Sequence, residues 1–76
     1  MNKLRRKAIN KLYEQLEEIR DALTEIAEEE EEAFNNIPES LEGTERYEAS
    51  EAANDNLQSS LDSLDELMDY LLEAIV

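Results

Sequence analysis

Ile9, Leu12, Leu16, Ile19, Leu23 and Ile26 follow one another at intervals of 3, 4, 3, 4 and 3 residues. That is the a/d repeat of a helical seam, sustained for almost three heptads. A strand turns its side chains over every second residue, so it would scatter these six across both faces, whereas a helix gathers them on one. Ala8, Tyr13, Ala22, Ala27, Ala33 and Phe34 fall beside the seam. The apolar stripe is thus wider than a two-stranded contact needs, which implies a second neighbour.

The C-terminal half repeats the pattern. Leu57, Leu61, Leu64, Met68, Leu71 and Ile75 are spaced 4, 3, 4, 3 and 4, with Leu67, Leu72 and Ala74 on a flank. Followed backwards, this seam runs through Asn54, Ser50 and Tyr47, so the packing is expected to loosen towards the middle of the chain. Between the stripes, Asn35 to Thr44 hold the only proline and the only glycine. Pro38 disfavours helical geometry at Ile37, and Thr44 can cap a helix opening at Glu45. Ser40 is the competing cap, with Gly43 then inside the first turn.

The expectation is an all-α fold: one long antiparallel αα-hairpin, coiled-coil-like, forming a single domain over residues 1–76. Helix 1 should cover about 3–35, the loop about 36–43 and helix 2 about 44–75. Each helix would be roughly 45 Å long. Antiparallel folding would pair Ile9 with Leu71, Leu16 with Leu64, and Leu23 with Leu57.

A 76-residue chain buries a modest fraction of its surface, and small domains commonly need further stabilisation. Without Cys or His, disulfides and the usual zinc sites cannot supply it. Self-association is the remaining route. A homodimeric four-helix bundle is therefore expected, with an interface drawn from Ile9, Leu12, Leu16, Ile19, Leu23, Leu57, Leu61, Leu64, Leu67, Met68, Leu71 and Leu72. Charge suggests its orientation. Residues 1–11 carry Lys3, Arg5, Arg6, Lys7 and Lys11 and no acid, while residues 28–51 carry ten Glu against one Arg. Head-to-tail packing would bring the basic end of one hairpin to the acidic end of the other.

The same composition narrows function. With no Cys and no His, and a two-helix hairpin too shallow for large carboxylate pKa shifts, no catalytic residue is expected and the chain reads as a non-enzyme. Tyr13, Tyr47 and Tyr70 read as amphipathic boundary residues. No EF-hand ligand pattern and no Glu-x-x-His is present, so neither a specific metal site nor a cofactor is expected. Direct nucleic-acid binding is disfavoured by a net charge of -14, and the basic N-terminal turn lacks the clean apolar face of a membrane-surface helix. The stretch Ala8 to Leu16 is interrupted by Asn10, Lys11, Glu14 and Gln15, unlike the apolar region of a signal peptide. A cytoplasmic address is the expectation.

Phe34-Asn35-Asn36-Ile37-Pro38-Glu39-Ser40-Leu41-Glu42-Gly43-Thr44-Glu45-Arg46 resembles the turn of small acidic helical proteins of Gram-positive bacteria and their phages and prophages. In those proteins the turn reads approximately Phe-x-Asn-x-Pro-Glu-x-Leu-x-x-Ser-Glu-Arg. Thr44 stands here in the serine position, which keeps the capping hydroxyl. The resemblance implies a mobile-element context, in which inhibition of host defence machinery is a recurring task, and it brings no assigned activity with it.

Glu28 to Glu32 sharpen that reading. Five glutamates at the end of a helix oppose its macrodipole, each costing about 0.3 to 1 kcal/mol, and Glu45, Glu48 and Glu51 face them across the hairpin. Violations of local rules concentrate where function requires them. Acidic side chains on a rigid rod can imitate a phosphate ladder and occupy a basic groove meant for nucleic acid. Glu28, Glu29, Glu31, Glu32, Glu45 and Glu48 are the expected contacts with a basic protein surface. The competing expectation is a self-assembling structural bundle whose acidic surface only keeps it soluble.

Overall fold

The computed structural model describes all of residues 1–76 as two long helices joined by a short turn. Helix α1 spans Lys3–Asn35, a single 3-10 turn spans Glu39–Leu41, and helix α2 spans Glu45–Ala74. The two helices lie antiparallel as a hairpin measuring 59 × 15 × 13 Å. Its radius of gyration of 17.4 Å compares with about 11 Å for a globular chain of this length. The fold is thus a rod, one layer thick. No helix is long and apolar enough to cross a membrane.

Both helix starts are capped. The Asn2 side chain accepts from the Arg5 N–H at 2.8 Å, and Thr44 Oγ1 accepts from the Tyr47 N–H at 3.3 Å while donating to the Leu41 carbonyl at 2.6 Å. The choice of cap therefore falls on Thr44, and Ser40 lies inside the 3-10 turn. Gly43 provides the positive φ of 82° that turns the chain into α2, a conformation costly for residues with a Cβ. Before it, the Asn36 and Ile37 N–H groups donate to Glu32 and Phe34 carbonyls, each at 3.1 Å. Pro38 then ends any continuation of α1.

On α2 the inward residues are Tyr47, Ser50, Asn54, Leu57, Leu61, Leu64, Met68, Leu71 and Ile75, the line followed in the sequence. On α1 the inward line differs. Ile9, Leu16 and Leu23 face α2 as expected and Glu30 continues their line, but the alternating positions are held by Tyr13, Arg20, Ala27 and Phe34. Leu12, Ile19 and Ile26 are each 54% exposed. Tyr13, Ala27 and Phe34, read from sequence as flanking, thus belong to the seam, and three seam residues become the flank.

Packing explains the exchange. Ala27 is 2% exposed and Met68 is 1% exposed, and they are the only two fully buried residues. A methyl side chain lets the helices approach, and the long, flexible Met68 fills space within the seam. At the turn end, Phe34 and Tyr47 meet with ring centroids 5.0 Å apart at an interplanar angle of 42°. That aromatic pair closes the end where the polar α2 seam predicts loosening, and the weakness narrows to Asn54, whose buried Nδ2 has no hydrogen-bond partner.

Candidate functional site

A hairpin one layer thick has two broad sides, and heptad offsets assign residues to them. A residue three positions after a seam residue such as Ile9 or Leu64 lies about 60° back around the helix. In an antiparallel pair, equal offsets from the seam fall on the same side of both helices. Leu12, Ile19, Ile26 and Ala33 on α1 therefore share one side with Ala53, Ser60, Leu67 and Ala74 on α2. Leu67 is 47% exposed. Beside it, Asn56, Ser59, Ser60, Ser63, Leu64 and Leu67 line an open depression of about 610 Å³.

The opposite side is acidic for most of its length. Positions one and five after the seam carry Glu14, Glu17, Asp21, Glu28 and Glu31 on α1, and Glu48, Glu51, Asp55, Asp62, Asp65 and Asp69 on α2. Leu72 interrupts this side near the termini and is partly exposed. Of the chain's 21 carboxylates only Asp65 lies in an ion pair, with Arg20 Nη1 at 3.5 Å, and both partners are substantially solvated. At the turn end, Glu31, Phe34, Asn35, Asn54, Asp55 and Gln58 border a shallow groove on this acidic side. No group of three or more acidic side chains is placed to hold a metal ion.

The six glutamates expected at a partner contact are all exposed, but they do not form one patch. Glu28, Glu31 and Glu48 lie on the acidic side. Glu29, Glu32 and Glu45 sit around the outer edges of their helices, and Glu30 lies on the seam line and is half-buried. The acidic surface is consequently a face as well as a pole, running well beyond the glutamate run. Glu14, Glu17, Asp21, Asp62 and Asp69 were not among the expected contact residues. Their signal was present as a repeat of acids at intervals of three and four, but it became legible only once the seam residues were known. The charges of α1 also oppose its dipole at both ends, with Lys3, Arg5 and Arg6 at its start and Glu31 and Glu32 near its end.

The residues expected at an oligomer interface divide three ways. Ile9, Leu16, Leu23, Leu57, Leu61, Leu64, Met68 and Leu71 pack between the two helices of the hairpin itself. Leu12, Ile19 and Leu67 lie exposed on the apolar side, and Leu72 lies on the acidic side. No family model, curated protein or solved structure matches this chain.

Proposed function

We propose that this protein is a non-enzymatic, acidic interaction module that works in the cytoplasm by occupying a basic site on another protein. The observation that carries the reading is the unpaired acidic side of the rod, whose carboxylates all but Asp65 lack an ion-pair partner. A rigid row of solvated carboxylates presents the charge that a nucleic-acid groove is built to receive. The turn's likeness to proteins of phages and prophages suggests which partners to test: host defence proteins that handle nucleic acid.

The test is affinity capture from a Gram-positive host lysate, at low and moderate salt, with the wild-type chain and a variant carrying lysine at Glu28, Glu29, Glu31 and Glu32. A basic partner should be held by the wild type, released by added DNA, and lost from the variant. Binding should weaken steeply with salt, because exposed charges are screened over about 8 to 10 Å. Equal capture by wild type and variant would make the acidic surface a solubility feature.

A second reading, self-assembly into a helical bundle, is favoured by the apolar side. Three large aliphatic residues, each 54% exposed, stand in line on one side of one helix at intervals of seven, the spacing of a seam awaiting a neighbour. The readings are compatible, since the apolar and acidic sides are opposite.

A further inference from the structure

We infer that the side carrying Leu12, Ile19, Ile26 and Leu67 is covered by a second copy of this chain, turned end for end about Ile19. The inference rests on the self-assembly reading and adds to it a face, a register and a polarity.

Area supports association. The chain exposes 5956 Å², against roughly 4,800 Å² for a compact monomer of its mass. The rod shape produces that excess of about 1,200 Å² per chain, and pairing two rods side by side is the direct way to remove it.

Symmetry supports a second copy as the occupant. Leu12, Ile19 and Ile26 are spaced seven and seven, so a two-fold axis at Ile19 sets Leu12 of each copy against Ile26 of the other and Ile19 against itself. A C2 interface requires such self-complementarity. Phe34 and Tyr47 meet across the hairpin, and fifteen residues back along α1 and fifteen on along α2 stand Ile19 and Asp62, so the middle of α2 near Asp62 is level with the same axis. There the axis brings Leu67 of one copy alongside Asn56 and Ser60 of the other, which line the depression beside Leu64. Small serine side chains leave room for the leucine.

Charge selects the polarity. Arg5 lies on the same line as Leu12, seven residues before it, and Lys11 on its outer edge. Rotation about Ile19 brings these bases to Glu29, Glu32 and Glu25 of the second copy. The alternative two-fold axis, along the rod, sets Ile19 against Ser60 and stacks the two acidic turn ends side by side, which Coulomb repulsion disfavours. In the end-for-end arrangement the acidic sides of both copies remain outward and free.

The experiment begins with sedimentation of the wild type at micromolar concentration, where a dimer is expected. A monomer would overturn both this inference and the self-assembly reading, leaving the acidic-contact reading untouched. Ile19→Glu should then be monomeric with unchanged helicity, because position 19 is already half-exposed in the single hairpin. A dimeric Ile19→Glu would overturn the face while leaving self-assembly standing. The chain has no cysteine, so Ile19→Cys can be crosslinked alone by mild oxidation. A covalent dimer of Ile19→Cys is the expected product. Crosslinking only in a mixture of Ile19→Cys and Ser60→Cys would overturn the polarity. Reversing Arg5 and Lys11 to Glu should weaken the dimer about tenfold or more, and further reversing Glu29 and Glu32 to Arg should restore it; no restoration would also overturn the polarity.

Discussion

Met68→Ala tests the packing of the hairpin most directly. Met68 is the largest fully buried side chain, 1% exposed, and its burial is worth about 1.5 to 3 kcal/mol. In a deep core, Met→Ala costs about 2 to 5 kcal/mol because a sealed cavity adds to the lost transfer energy. This seam is one layer deep. Leu64 and Leu71, adjacent on the same line, are themselves partly exposed, so the space vacated opens to water or collapses rather than remaining as a void. The transfer term therefore dominates, and the expected loss is about 2 kcal/mol. With an m-value of about 1 kcal/mol/M, the urea midpoint should fall by about 2 M. Far-ultraviolet circular dichroism at one fixed protein concentration is the assay, since association would make the midpoint depend on concentration. Leu72→Ala is the control, expected to lose less than about half as much, because Leu72 is already partly solvated. A loss below about 0.5 kcal/mol for Met68→Ala, with a larger loss for Leu72→Ala, would refute the seam and its register.

Two further outcomes follow from the same structure. Asn54→Leu should stabilise the hairpin by about 1 to 3 kcal/mol, because it removes a buried amide donor without a partner and adds apolar surface to the seam; unchanged or lowered thermal stability would mean that the Asn54 amide is satisfied in solution. Thr44→Ala should cost about 1 kcal/mol by removing the cap of α2, whereas Ser40→Ala should be close to neutral. Equal losses in urea denaturation would place the helix start at Ser40.

Much of this protein is legible in its sequence. Period alone identifies two long helices, Pro38 and Gly43 locate the break between them, and Thr44 is recognisable as a cap because its hydroxyl precedes a run that can only be helical. These are local properties, set by backbone sterics and by hydrogen bonds within a few residues. On α2 the seam is unambiguous as well, because serines at 59, 60 and 63 leave only one line of large apolar side chains that runs unbroken from Leu57 to Ile75. On α1 it is not. Ile9, Leu16 and Leu23 can be completed by Leu12, Ile19 and Ile26 or by Tyr13, Arg20, Ala27 and Phe34, and Arg20 is the one charged residue in either line. Hydropathy by itself prefers the aliphatic line. Tertiary structure takes the other, because Ala27 permits close approach, Phe34 finds the ring of Tyr47 across the turn, and Arg20 can reach outward to Asp65. That decision belongs to the pair of helices and to neither alone, and it determines the surface: it leaves one side of the rod aliphatic and lines the carboxylates along the other.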